Sequence, residues 1–289
     1  MFRVVVFASL VLVVPTTLQA QSNRWSSAAA ARPKPIPLAN TPDWLKDYKF
    51  KQDKFTFVRI KYNTKGLAGG NRRRGGSWAT DYPDADLAIC SQVEQLTKLK
   101  AESLVLELTD EKLSNYPFII LFEPGRLELT DTEVAALRKY LLNGGFLMVD
   151  DFWGDFEYQN FYEQIKRVLP EPQREPQELP IAHRIFQTVY PLKEKPQVPS
   201  INSAVWGRDQ GITWEPGHGG DCQTVHYKGI FDGEGRPDID RMMVIICHNT
   251  DLSDGWERAE ESKWYSEEFS AKKAFPMGIN IVFYVLTRP

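Results

Sequence analysis

The sequence predicts an α/β fold built on a mostly parallel sheet, and three observations carry that expectation. Strand-like and helix-like segments alternate through residues 55–168. One strand candidate, residues 118–122 (FIILF), is apolar without a break, the pattern of a strand covered on both faces of a parallel sheet. Residues 141–154 (LLNGGFLMVDDFWG) then run from a helix end at Asn143-Gly144-Gly145 through a short apolar strand, 146–149, to the adjacent carboxylates Asp150 and Asp151. In an open α/β sheet the carboxyl ends of the strands form the ligand crevice. This segment therefore marks an architecture and the place of a site together.

The elements follow in order. Residues 55–60 (FTFVRI) are β-branched and aromatic, as a strand requires. A Gly- and Arg-rich loop, 66–76, precedes a helix over 85–99, where Ala85, Ala88, Ile89, Val93, Leu96 and Leu99 recur near helical spacing. Residues 103–108 and 117–122 read as strands. The helix over 130–143 has a capping box in Thr130 and Glu133, a buried stripe in Val134, Leu137 and Leu141, and a left-handed stop at Asn143-Gly144. With its flanking strands it makes a βαβ unit, a crossover that is right-handed almost without exception. A further helix over 157–168 is stopped by Pro170, and 170–200 is a Pro-rich connection. Residues 225–231 and 242–248 are strands joined by the Gly/Asp-rich turn 232–240. An apolar helix over 274–286 closes the fold, with Pro276 in its first turn, where a missing N–H is harmless.

Composition bounds the function classes. The 289 residues are 42% hydrophobic and 12% aromatic, enough for a sizeable core, and the net charge of −3 supplies no basic field to recruit nucleic acid. Residues 1–20 read as a secretory signal: Arg3 is the positive n-region, 4–14 the apolar stretch, and 15–20 a breaker and small-residue exit. The apolar stretch is shorter than the roughly 20 residues a membrane span needs, so the expectation is export to the periplasm or beyond, with no stable span after cleavage. Residues 21–50 are a Pro/Ala-rich flexible leader, and 51–289 a single α/β domain. Cys90, Cys222 and Cys247 are no disulfide framework; Cys222 with Cys247 is the pair to test.

Three predicted strands end in polar groups: 118–122 in Glu123, 146–149 in Asp150 and Asp151, and 244–247 in His248, Asn249, Thr250 and Asp251. If these strands are parallel neighbours, the groups converge on one edge, able to do acid/base work or to bind a cation. Singly, each is also the kind of acid that caps a helix or meets solvent at a strand end. Asp150 and Asp151 point in opposite directions, so one caps the next turn while the other enters the crevice. Trp153 is either an aromatic wall of that crevice or core packing. Asp81 precedes the first helix together with Asp84 and Asp86, acids favourable near a helix N-terminus. Arg73, within Arg72–Arg74, is a candidate for an anionic group or simply a solvated basic loop. The four histidines lack zinc-site spacing, no nucleotide fingerprint has its strand-to-helix context, and Gly-x-Ser-x-Gly is absent, so neither a metal site nor a cofactor is assigned.

The run WATDYPDAD, the block EPGRLELTDTEVAALRKYLLNGGFLMVDDFWG and the tail ICHNTDLSDGWE…EFSAKKAFPMGINIVFYVLTR resemble the domain-of-unknown-function family DUF4159, over about residues 55–288. The resemblance implies a bacterial source, the class I glutamine amidotransferase-like fold, and hence a flavodoxin-like three-layer α/β/α sandwich. Enzymes of that wider fold use a Cys nucleophile on a tight strand-to-helix elbow and a later His-x-Glu pair. Here Cys90 falls in a helix, Cys222 in a loop, Cys247 is followed by His248, and no His-x-Glu occurs. The expectation is an exported domain without amidotransferase activity that binds a ligand or envelope partner at the C-terminal edge of its sheet. The rivals are a hydrolase of a glycan, peptide or ester using Glu123, Asp151 and His248, and a purely structural periplasmic component.

Overall fold

The chain runs through β1 (Lys54–Lys61), β2 (Asn63–Thr64), α1 (Asp84–Leu96), β3 (Lys100–Glu107), β4 (Phe118–Phe122), β5 (Leu127–Glu128), α2 (Asp131–Leu142), β6 (Phe146–Asp150) and α3 (Gly154–Val168). It continues through β7 (Gln177–Glu178), α4 (Ile201–Gly207), β8 (His226–Phe231), β9 (Met242–His248), α5 (Leu252–Glu257), α6 (Lys263–Tyr265) and α7 (Phe275–Thr287). This computed structural model describes residues 54–64, 77–97 and 99–287. The signal segment, the leader and the Arg72–Arg74 loop with Arg73 lie outside the described residues.

A seven-stranded sheet has the order β3-β1-β4-β6-β9-β8-β7. β1 pairs in parallel with β3 and β4, β4 with β6, and β6 with β9; β8 and β7 add an antiparallel edge. Side chains alternate between faces, and the sheet carries a core on each. Phe55, Phe57, Phe118, Ile120, Phe146, Met148 and Ile245 face one core, completed by Ile89 of α1, Trp256 of α5 and Met277 of α7. Val58, Ile60, Ile119, Leu121, Leu147, Val149 and Ile246 face the other, completed by Leu137 of α2 and Ile165 of α3. The result is three layers, helix on sheet on helix. Every residue of β4, β6 and β9 is buried, which is what their unbroken apolar runs anticipate. Among the described residues no helix is long and apolar enough to cross a membrane.

The local signals at α2 hold. Thr130 Oγ1 accepts from the Glu133 N–H at 3.3 Å, the Glu133 carboxylate accepts from the Thr130 N–H at 2.8 Å, and Gly144 turns the chain at φ +105°. Elsewhere tertiary partners move the boundaries. α3 starts at Gly154 and not at residue 157, because its first N–H groups find distant acceptors: Gly154 N–H donates to Asn249 Oδ1 at 2.8 Å and Trp153 N–H to the Glu157 carboxylate at 2.9 Å. Within the Pro-rich connection, β7 adds a short edge strand. The C-terminal helix is not preceded by a free end: α6 passes through a π-helical stretch, Ser266–Ala274, directly into α7. Pro276 therefore lies inside a continuous helical run, where its ring would crowd a carbonyl one α-turn back. The wider π-register upstream, with Phe275 N–H bonded to Ser270 O, relieves that crowding.

All three cysteines are buried and free, so the Cys222–Cys247 bridge is not formed. Cys247 sits inside β9 in the core, whereas Cys222 lies in a loop with its thiol toward Gly220 O.

Two substitutions test this frame by urea denaturation. Thr130→Ala is expected to lose about 1 kcal/mol, the value of an N-cap. Gly154→Ala is expected to lose more, since φ there is +71° and a Cβ would stand 2.1 Å from Gly219 O.

Candidate functional site

Because β1, β4, β6 and β9 are parallel, their C-terminal ends share one edge, and the chain leaves that edge through unusual corners. The described non-glycine residues with positive φ are Asp81 (57°), Glu123 (44°), Asp151 (59°) and Asn249 (58°). Glu123 follows β4, Asp151 follows β6, Asn249 follows β9, and Asp81 stands just before α1. Each such corner costs on the order of 1–3 kcal/mol, and they cluster where a site imposes them. Tyr62, just past β1, clamps the Glu123 corner by donating to Phe122 O at 2.6 Å and Glu123 O at 2.7 Å.

Arg59 of β1 brings in the segment before α1. Fully buried, it donates through Nη1 to Trp78 O at 3.1 Å and Thr80 O at 2.8 Å, while Nε reaches both Asp86 oxygens at 3.1 and 3.2 Å. Its guanidinium lies 3.9 Å from the centre of the Phe122 ring. Ser77, Thr80 and Asp81 are thereby delivered to the strand ends.

A recess of about 180 Å³ opens there, lined by the carboxylates of Glu123, Asp151, Glu157 and Glu215 together with His218, Arg126, Ser77 and Trp153. His218 lies 3.0 Å from Glu157 and 3.7 Å from Glu215, and these carboxylates raise its pKa to about 10, making it an imidazolium at neutral pH. Glu123 is pushed up to about 7 by burial, opposed by the hydroxyls of Thr80 and Ser77 and assisted by Asp81 and Glu157. Asp151 is 8% exposed and its carboxylate receives no donor from the described residues. Burial, then Glu123, Asp81 and Glu215, drive its pKa well above the carboxylate range. A larger hollow, about 470 Å³, lies near the start of β6 beside Tyr116, Tyr140, the half-buried Asp110 and the exposed Glu111, but gathers no buried acids.

Next to the recess, the carboxylate oxygens of Asp81, Asp251 and Asp254 lie within 4.8 Å of one another. Among the described residues, this is the group placed to hold a metal ion. Asp251 caps α5, accepting from Asp254 N–H at 2.7 Å and Ser253 Oγ at 2.8 Å. Asp254 accepts from Ile201 N–H at 2.6 Å and Tyr265 OH at 3.1 Å. Burial and Asp81 raise Asp254 to about 6 and the adjoining Glu257 to about 8.

The structure thus gathers Glu123, Asp151 and Trp153 on the recess, with Asp81 and Asp251 beside it. Asp150 and Asp151 diverge: Asp150, fully buried, accepts from Ser253 N–H at 3.1 Å, while Asp151 faces the recess. Trp153 is both wall and core, 1% exposed. His248 does not line the recess. It packs among Phe152, Tyr158 and His226, donates to Gly154 O at 3.0 Å, and is pushed down to about 4 by burial. Glu157, Asp254 and Glu257 stand in α3 and α5, the helices that follow β6 and β9, and Glu215 and His218 come from the segment before β8; the sequence marks none of the five as a site residue. Arg59 carried one sequence signal, a charge in the middle of FTFVRI.

Chemically, the arrangement offers oxygen donors in excess of nearby cations, and carboxyls poised near neutrality, Glu123 on the recess and Asp254 and Glu257 beside it. The sequence profile of the domain of unknown function DUF4159 matches residues 56–286. No curated protein matches the chain.

The raised carboxyls fix a sign for pH dependence. Glu123 and Glu257 go from 4.5 in the unfolded chain to about 7 and about 8 in the fold, and Asp254 from 3.8 to about 6. Each holds a proton in the fold that the unfolded chain has released, so its contribution to stability is full below the unfolded value and lost as pH climbs through the folded one. His218, raised from 6.5 to about 10, acts in the same direction, whereas His248, lowered to about 4, opposes it only below 6.5. With divalent cations chelated, the urea midpoint is expected to fall between about pH 6.5 and 9. The Glu123→Gln/Glu257→Gln double variant should flatten that slope.

Proposed function

The chain belongs to the DUF4159 family, and from that premise we propose an exported binding domain whose crevice, at the C-terminal edge of the sheet, takes a positively charged ligand. The observation that carries this reading is the Asp151 carboxylate, 8% exposed and without a donor among the described residues, in a recess it shares with Glu123, Glu157 and Glu215. Burial and the neighbouring carboxylates disfavour the ionised form of this group, and a cationic ligand would favour it. Export rests on the signal-like residues 1–20.

Topology supports a flavodoxin-like version of the fold. Taken in chain order, the five parallel strands β1, β3, β4, β6 and β9 lie side by side as second, first, third, fourth, fifth. That is the flavodoxin-like order, in which ligands sit at the switch point between the first and third strands. The recess draws on the segment after β1 and on Glu123 after β4, in keeping with that position. Within a class I glutamine amidotransferase-like fold, the left-handed residues at strand ends here are carboxylates and an asparagine. Burial pushes the Cys247 thiol well above its ordinary pKa and the Cys90 thiol up to about 12, which makes both poor nucleophiles. These features favour binding over amidotransfer.

A hydrolytic reading keeps one specific support: Glu123, near neutrality beside Asp151, suits proton transfer. His248, engaged elsewhere, has no part in it.

The test is a thermal-shift panel on the purified chain with calcium, magnesium, manganese, spermidine, arginine and envelope glycan fragments. At about 100 times Kd, a true ligand stabilises by roughly 2.7 kcal/mol. Cationic members are expected to raise the midpoint, and Asp151→Asn to abolish the rise. Stabilisation by neutral glycans alone, or by nothing, contradicts the reading.

A further inference from the structure

We propose that Asp81, Asp251 and Asp254 hold a divalent cation that prefers oxygen ligands, with Asp151 as the adjoining carboxylate between this ion and the recess. The inference rests on the ligand-binding reading and names the class of the ligand.

Size comes first. Metal–oxygen bonds of 2.3–2.6 Å place oxygens on opposite sides of an ion up to about 5 Å apart. The three aspartates present their oxygens within 4.8 Å of one another, the span of a single coordination shell. The donor set comes second: it is carboxylate throughout, with no thiol or imidazole. Such a set suits calcium, magnesium or manganese over zinc or copper.

A second observation, independent of the trio, points to a ligand. The Asp151 carboxylate is 8% exposed, receives no donor from the described residues, feels the charge of Asp81 and acts in turn on Asp251. Outside the trio, the buried oxygen Asp150 Oδ1 at this edge also has no hydrogen-bond partner among the described residues. Of the nearby cations among the described residues, Arg126 lines the recess beside Asp151, and the others are committed elsewhere. His218 bridges Glu157 and Glu215, and Arg59 holds Asp86. Arg258 stands 3.6 Å from Asp254 but closer to Glu257, at 3.0 Å, and Glu261, at 2.6 Å.

The ligands are also oriented in advance. Asp251 is fixed by Ser253 and the Asp254 N–H, and Asp254 by Ile201 N–H and Tyr265 OH. Asp81 and Asp151 are aimed by their left-handed corners, which asparagine also tolerates. Asn at either position therefore removes the charge while keeping the backbone.

The experiment is isothermal titration of the EDTA-stripped full chain with calcium, magnesium and manganese chlorides, and separately with spermidine and arginine. At least one metal is expected to bind at a single site with Kd at or below about 1 mM, the weak end for extracellular calcium modules. Asp81→Asn and Asp151→Asn should each weaken it roughly tenfold or more, while a cooperative metal-free melt verifies the fold. Wild-type chain that binds none of the three metals overturns the inference whatever the variants do, and so do variants that bind as tightly as wild type. If spermidine or arginine binds where the metals do not, the cation site falls and the ligand-binding reading stands. Silence from every cation removes both.

Discussion

Arg59 is the lysine or arginine that the described residues bury completely, and the C-terminal edge of the sheet is organised around it. It rises from the middle of β1, lies against Phe122 of β4, pairs with Asp86 in the first turn of α1, and binds the carbonyls of Trp78 and Thr80. One side chain thus ties two central strands, a helix start and an irregular segment into a single unit. Desolvating both charges is expensive, and such a pair adds little stability over an apolar replacement; losing one partner alone costs about 3–5 kcal/mol. Its value here is positional. Without it, the segment that brings Ser77, Thr80 and Asp81 to the strand ends keeps the packing of Trp78 and the hydroxyl contacts to Glu123 but loses this anchor.

Against that anchor, the edge departs from the rules obeyed elsewhere. Away from it, helix caps, alternating faces and buried apolar strands agree with one another, as at α2 and β4. At the edge, four non-glycine residues adopt left-handed backbone, and Asp150, Asp151 and Asp251 are buried with few opposing cations. Local conflicts of this kind gather at functional sites, where other parts of the structure compensate. The two hydrophobic cores and the Arg59 unit provide that compensation.

Much of the frame was legible in the residues. The unbroken FIILF run, the Thr130/Glu133 box and the turn at 232–240 each describe their own surroundings, so β4, α2 and the β8–β9 hairpin follow from local pattern. The start of α3 does not, because its cap is Asn249, 95 residues onward. The π-helical link before α7 likewise has no local signal beyond Pro276. At the site, Glu123, Asp151 and Asp251 could be named because they end strands that prove to be parallel neighbours. His248 stands at the same strand end, yet its ring lies among Phe152, Tyr158 and His226, which adjacency in sequence does not reveal. Of the remaining acids, Glu157, Asp254 and Glu257 stand in the helices that follow β6 and β9 and Glu215 in the segment before β8, and the sequence marks none of them as a site residue.

The central claim is that these carboxylates are held together at a cost in stability because a cation is meant to join them. The most direct measurement is the metal-free urea stability of Asp151→Asn against wild type at about pH 8, where the unfolded chain's carboxyls are ionised. Removing a repelled charge while preserving shape and corner should raise the denaturation midpoint. A midpoint clearly below wild type would mean that the Asp151 carboxylate stabilises the fold itself, and the account of this edge as a site kept open for a cation would be contradicted.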